Sequence, residues 1–408
     1  MFVNPSGQRK AWGFCLALLA LACGAAPAKP AASTQPAAKL KTYQTRYYTI
    51  HTDLDPEAVR EAAARMTAMA EEYHRRTEGF AGTIRQRLPF HLFSNAKDYY
   101  AAGGRRGTAG AYNGKELMAV ASRKDPDRVW QVVQHEAFHQ FAHKVIRGRL
   151  PIWVNEGLAE YFGQGIWTGD NFVTGLVPPE RLKRLKAHID AGRILPFLKM
   201  LPMSHKEWNS VLSGRNYDQA WSMIHFLVHA DRGRYRPALE AFVTDISRGQ
   251  PYKQSFLNRF GRDVEAFENR YRQWWAWLPP DPTADRYVLA TVQTLCSFLA
   301  RANAQGQTFA DAEAFFQAVE AGALKTHPSQ WLPPRLLERA LESASKLGGW
   351  SLAGTAQRPA LVLAQPGGLT FTGTFTIRDG LVEDVRVQIK QTPPSSAPAA
   401  SAPSQPTE

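Results

Sequence analysis

The period of the apolar positions changes along the chain. Tyr47 to Thr52 is rich in β-branched and aromatic residues and predicts a strand. Asp55-Pro56 then opens a helix, with Asp55 as cap and Pro56 at its first position, running to about Thr77. Leu88 to Phe93 predicts a second strand, Ala96 to Ala101 a short helix, Gly103 to Gly110 a glycine-rich loop, and Glu116 to Ser122 a third strand. From Asp127 to about Ile146 the period turns helical, opening with Val129, Val132 and Val133 spaced by three and four. Further helices are predicted near 153–163, 179–191, 217–231, 235–248 and 263–277. Strands mixed with helices, followed by helices alone, predict an α+β domain over 45–278: a small mixed sheet packed on a helix, with a helical lobe behind.

The run Leu278-Pro279-Pro280-Asp281-Pro282 marks a boundary. Beyond it, 285–346 reads as helices and Ser351 to Lys390 as a small antiparallel β unit. In that unit Phe371, Phe375 and Ile377 are expected to share one face, and Asp379-Gly380 to make a tight hairpin turn. Residues 285–390 carry no chemical motif, and the chain has no internal repeat.

The two ends read differently. Residues 1–28 have the form of an export signal: Arg9 and Lys10, then a mostly apolar run from Ala11 to Ala22, too short to span a bilayer, then small residues around Ala26-Pro27-Ala28. Leu21-Ala22-Cys23-Gly24 resembles a lipoprotein signal as well, which would make Cys23 a lipid anchor, although Ala20 stands where a larger aliphatic residue is usual. Residues 29–44 are expected to be a linker, and 391–408, rich in Pro, Ser and Ala, a disordered tail. The expected location is therefore periplasmic or secreted, with a membrane anchor as the variant.

Composition narrows the function. Apolar residues are 44% of the 408 and charged residues 21%, enough for a packed core. Three cysteines exclude a disulfide framework. Cleavage would leave only Cys296, in an apolar helical run where burial is the expected fate. The net charge of +13 invites a nucleic-acid reading, but no finger, helix-turn-helix or aromatic-basic sheet signature accompanies it. Loss of Arg9 and Lys10 with residues 1–28 still leaves +11. Part of the excess lies on Arg181 to Lys186, where a solvated helix face is the default. No nucleic-acid partner is expected; contact with anionic envelope polymers or acidic substrates is.

The chemistry sits in His135-Glu136-Ala137-Phe138-His139. Histidines four apart on a helix project from one face and can grip one metal ion, with Glu136 in reach of a water on it. Pro151 to Glu160 opens a second helix that can fold back, bringing Glu156, 17 residues after His139, towards the pair. Two imidazoles and one carboxylate leave the open position of a catalytic zinc site. His143 shares the stripe but lies about 12 Å up the helix from His135, too far for the same ion. The elongated motif with a glycine at 142 and a histidine at 145 is excluded by Ala142 and Val145. Glu160, one turn after Glu156, is expected either to accept the second ring N–H of a ligand histidine or to stand in solvent.

These residues resemble a gluzincin metallopeptidase of the peptidase-MA-like clan. They are similar in particular to a bacterial family of exported proteins with a Trp-x-x-Glu-Gly-x-Ala-Glu-Tyr segment, here Trp153 to Tyr161. The resemblance covers about 45–275. It implies a zincin-like fold, Zn2+ held by His135, His139 and Glu156, and Glu136 as general base. The Asn155-Glu156-Gly157-x-Ala159 stretch is also similar to the aminopeptidase N branch. That similarity implies Tyr217 as an oxyanion donor, although Gln219-Ala220 replaces the Lys-Gly of that branch. Tyr217 packing on Trp221 is the alternative. His225 is a rival donor, and His225 with His229 a weak second metal pair.

The Gly-x-Met-Glu-Asn loop by which that branch holds a free amine is absent. Gly110-Ala111-Tyr112-Asn113-Gly114 stands near its place and is expected to be either an edge strand for an extended peptide or a plain hairpin turn. The expected activity is hydrolysis within a polypeptide, rather than trimming at its end, by metal-activated water. The rival is a zinc-braced envelope protein without turnover.

Overall fold

The computed structural model describes residues 40–121, 126–146, 148–210 and 214–391. The expected export signal, the cleavage sites, Cys23 and the tail from 392 on lie outside the described residues. The chain is mixed α+β and divides into two compact units, 1–165 with 174–283 and 166–173 with 284–408.

The first unit opens with strands β1 (Lys41–Gln44) and β2 (Tyr48–Thr52), helix α1 (Pro56–Thr77), β3 (Leu88–Phe93), helix α2 (Ala96–Ala101), β4 (Gly110–Tyr112) and β5 (Leu117–Val120). The five strands form one mixed sheet in the order β1-β2-β3-β5-β4. β2, β3 and β5 run parallel, and β1 and β4 are antiparallel edges. The linker expected through Gln44 thus ends earlier, because Lys41 to Gln44 pair with Thr52 to Thr49.

Alternation sets the buried face: Tyr48, Ile50 and Thr52 of β2 and Leu88, Phe90 and Leu92 of β3 point inward. Asp55 caps α1 by accepting the Ala58 N–H at 2.9 Å, with Pro56 at its start.

Helices complete this unit: α3 (Pro126–Val145), α4 (Ile152–Gly163), α5 (Pro179–Asp190), α6 (Phe197–Met200), α7 (His205–Ser210), α8 (Arg215–Gly233), α9 (Arg236–Ser247), α10 (Tyr252–Phe260) and α11 (Val264–Trp277). α6, α7 and α10 were not predicted from the pattern. A buried aromatic core of Trp153, Trp221, Phe226, Phe242, Tyr271 and Trp275 joins them. Tyr73 of α1 donates to the Gln134 carbonyl of α3, tying the first helix to the third.

The second unit contains a two-stranded hairpin, β6 (Ile166–Trp167) and β7 (Phe172–Val173), helices α12 (Ala284–Ala304), α13 (Ala312–Glu320) and α14 (Pro334–Ala344), and strands β8 (Trp350–Thr355), β9 (Arg358–Ala364), β10 (Leu369–Arg378) and β11 (Leu381–Gln391). The last four form an antiparallel meander. The hairpin was not foreseen. It is held within its unit by Asp170, which pairs with buried Arg301 at 2.8 Å, and by Asn171, which donates to the Val385 carbonyl at 3.0 Å.

The Asp379-Gly380 turn has both φ values positive, 52° and 71°, as a two-residue hairpin loop requires. Phe371 is buried, but Ile377, next to a register shift after Thr376, is 37% exposed and leaves the shared face. Cys296 is buried and unbridged, and burial pushes its thiol pKa up. No helix among the described residues is long and apolar enough to cross a membrane.

Candidate metal centre

α3 and α4 form the site, and the reversal between them depends on Gly148. Its φ is +76°, and a Cβ there would stand 3.1 Å from the Ser247 Cα, so this turn suits glycine on both counts. α4 starts after Pro151, whose carbonyl accepts the Val154 and Asn155 N–H groups. Its C-terminal end is tied to α3 by buried Gln134, whose side-chain amide donates to the carbonyls of Phe162 (3.1 Å) and Gly165 (3.0 Å). On its other side α4 lies against α8 at Gly157, where a Cβ would come 2.5 Å from the Ala220 carbonyl oxygen. Only glycine allows that approach.

This packing brings His135, His139 and Glu156 together as a group that could hold a metal ion. The two Nε2 atoms are 3.1 Å apart, and each is 3.5 Å from Glu156 Oε2. Four zinc ligands at about 2.0–2.1 Å in a tetrahedron stand about 3.4 Å from one another. The three donor atoms therefore already have the mutual spacing of one face of such a shell, and their nitrogen and oxygen chemistry suits zinc.

Glu160 Oε1 lies 3.3 Å from His135 Nδ1, so of its two expected places the structure gives the one beside the histidine. Its other oxygen receives Arg181 Nη1 at 2.7 Å. Arg181 was read from sequence as part of a solvated basic face, and this is corrected. Its side chain is only 7% exposed, Nε stands 2.8 Å from Asp218 Oδ1, and Nη2 donates to the Tyr217 carbonyl at 3.3 Å. Of the same run, Arg184 pairs with Asp218 at 3.2 Å and Lys186 donates to the Ala276 and Leu278 carbonyls. Lys183 alone of these basic residues is exposed.

The electrostatics follow from burial and pairing. Burial works against a charged His135, but Glu156 and Glu160 outweigh it and hold its pKa well above the usual 6.5. The same contest, won by Glu156, raises that of His139. For Glu156, burial is outweighed by His139 and His135, and its carboxyl lies far below the usual range. For Glu160, burial is outweighed by Arg181 and His135, leaving a pKa of about 2.

Glu136 stands beside the cluster on α3 and accepts the Tyr112 backbone N–H at 2.9 Å through Oε2. Tyr112 belongs to β4, the outer strand of the sheet, so the segment from Gly110 is an edge strand, and Asn113-Gly114 begins the turn after it. His143 is not part of the cluster; its Nδ1 pairs with the Tyr112 hydroxyl at 2.7 Å.

Tyr217 opens α8 and lies edge-to-face on Trp208 at 5.3 Å, not on Trp221. Trp221 instead carries the Arg181 guanidinium over its ring at 4.4 Å. Burial, then the carboxylates of Glu156, Glu160 and Glu136, push the Tyr217 phenol pKa up, partly offset by Trp208. The phenol therefore keeps its proton.

His225 is buried beside the Gly175 carbonyl at 3.2 Å, and His229 pairs with the Tyr161 hydroxyl at 3.0 Å. Their rings are 4.5 Å apart, but no acid joins them in a metal-holding group among the described residues. The contacts that sequence reasoning missed are those of Arg181, Asp218, Gln134 and the Tyr112 N–H, each made with a partner distant in sequence.

A family described as a protein of unknown function (DUF1570) matches residues 130–253. That stretch runs from α3 to the start of α10 and contains His135, Glu136, His139, Glu156, Glu160, Arg181 and Tyr217. No curated protein and no solved structure matches the chain.

Proposed function

We propose that this protein is an exported zinc-dependent peptidase of the gluzincin type, with a zincin-like first unit, that cuts within polypeptide chains. The observation that carries the reading is the spacing of 3.1, 3.5 and 3.5 Å among His135 Nε2, His139 Nε2 and Glu156 Oε2. These three would hold the zinc, which supplies Lewis acidity to the scissile carbonyl and acidity to the attacking water.

Glu136 takes the proton of that water and delivers it to the leaving amine. Its hold on the Tyr112 N–H fixes one carboxylate oxygen and leaves the other to work as base. Tyr217, kept protonated by burial and by the field of three carboxylates, donates to the oxyanion as charge develops there. Glu160 accepts from His135 Nδ1 and so directs the Nε2 lone pair to the metal. An extended peptide paired along the edge of β4 would lie beside Glu136. The lack of an acidic anchor for a free amine supports internal cleavage. Export is supported by the pattern of residues 1–28 alone.

The test is zinc analysis and a peptide-library digest of the purified protein, with Glu136→Gln as control. Glu136→Gln should keep one zinc per chain and lose at least about 1,000-fold in kcat, because the general base is gone and its charge is not needed for binding. Zinc without cleavage of any peptide by the wild type would leave a structural brace and end the peptidase reading.

A further inference from the structure

We propose that Arg181 is a positioning residue that orients the Glu160–His135 pair and ties it to the turn of α8 carrying Tyr217. The inference rests on the zinc reading of the cluster. Arg181 donates hydrogen bonds from Nη1 to Glu160 of α4 and from Nη2 to the Tyr217 carbonyl of α8, and its Nε stands at ion-pair distance, 2.8 Å, from Asp218 Oδ1 without a hydrogen bond between them. Its plane rests on Trp221, one turn further along α8. One buried side chain of α5 thus joins the helix that supplies Glu156 to the helix that supplies Tyr217.

The chemistry requires the fork of an arginine. A guanidinium presents donors in fixed, diverging directions and stacks on an aromatic face. A lysine ammonium is a single charged point on a flexible stem and cannot serve three separated partners while lying flat on an indole. With Oε2 of Glu160 taken by Arg181, Oε1 is left for His135 Nδ1 at 3.3 Å. In the neutral ring that binds metal, this contact keeps the remaining proton on Nδ1 and leaves Nε2 free to face His139 and Glu156. At the other end, the ion pair with Asp218 and the hydrogen bond to the Tyr217 carbonyl hold the first turn of α8, and with it the point from which the phenol approaches. A role as mere counter-charge to two buried acids would be met equally well by lysine, and this separates the two accounts.

The experiment uses the full mature chain as wild type, Arg181→Lys, Arg181→Met, Glu160→Gln, both Arg181 changes combined with Glu160→Gln, and Arg184→Gln. Zinc dissociation constants are measured by competition with a chromogenic chelator, and His135 is followed by 15N NMR of the zinc-loaded protein. Arg181→Lys and Arg181→Met should each weaken zinc binding about 10- to 100-fold, the range for a partner that orients a metal ligand. Each double variant should be no weaker than Glu160→Gln alone, because both changes remove one coupled contact. Arg184→Gln, which shares Asp218 but not Glu160, should stay within about twofold of wild type.

At saturating zinc, Arg181→Lys should still show a lower kcat than Glu160→Gln with little change in KM, because the α8 turn has also lost its tie. Arg181→Lys with wild-type zinc affinity and an unchanged His135 spectrum would overturn the proposal; if Arg181→Met does not fold, Arg181→Lys and its double variant decide. A wild type that binds zinc but cleaves nothing ends the peptidase reading and leaves the affinity comparison standing. A wild type that binds no zinc ends both.

Discussion

Glu156 is the residue on which the cluster turns, since its single Oε2 stands 3.5 Å from both histidine nitrogens. Glu156→Gln removes the only anionic donor of the three. Zinc content should fall well below one per chain after dialysis against a weak chelator, whereas Glu136→Gln keeps it. Gly157, its neighbour, has a packing role instead. Gly157→Ala sets a methyl 2.5 Å from the Ala220 carbonyl, so α4 and α8 must separate. The expected cost is about 1–3 kcal/mol in a denaturant melt, with zinc affinity falling too because Glu156 moves with its helix. The residues named in the motif reading were legible because each combines a reactive side chain with helical spacing. Arg181 was not. It lies among Arg184 and Lys186 in a run that looks solvent-facing, and nothing local says that Glu160, Asp218 and Trp221 will close over it.

Among elements, the long helices and the strands of the first sheet were readable from period and caps, as α1 shows with Asp55 and Pro56. Helices α6 and α7, of four and six residues, are too short to display a period, and β6–β7 are strands of two residues each. Such pieces are made by the neighbours that cover them. The end of α8 is a second case. The backbone leaves helical geometry at Ala230, and Asp231 and Arg232 adopt φ of 51° and 60°. Arg270 holds the Asp231 carboxylate, with Nε at 3.1 Å, and the Tyr235 hydroxyl adds a bond at 3.2 Å. Arg232 has a left-handed conformation that a Cβ disfavours, so Arg232→Gly should stabilise the protein by about 1 kcal/mol. Thermal melting checks this, and a lower Tm would contradict it.

At the level of the whole molecule, protons and zinc compete for the same atoms. Without metal, the raised pKa of His135 and His139 means that their ion pairs with Glu156 and Glu160 stabilise the fold fully below about pH 6.5. That contribution is lost as pH rises through the higher folded values. Zinc binding needs both rings neutral, so its stabilising effect grows in the same direction. The difference in Tm between zinc-loaded and chelated protein should therefore widen steadily from about pH 5 to pH 8, read by scanning fluorimetry. A constant difference would argue against metal at these histidines.

The basic excess belongs to this scale as well. Buried Arg181 and Arg301 and paired Arg184 show that part of it is spent inside the two units.

By itself the sequence determined the α+β order, the helix that sets His135 and His139 on one face with Glu136 beside them, and the candidate third donor at Glu156. Periodicity and reactive spacing are local properties, and a linear chain displays them. The tertiary structure alone decided which oxygen of Glu160 meets His135, that Arg181 is buried between three helices, that Glu136 takes a backbone N–H from the edge strand, and that residues 166–173 belong to the second unit. Those outcomes depend on directions in space between elements distant in the chain. Packing around Gly157 and the aromatic core sets those directions, and no window of sequence contains them.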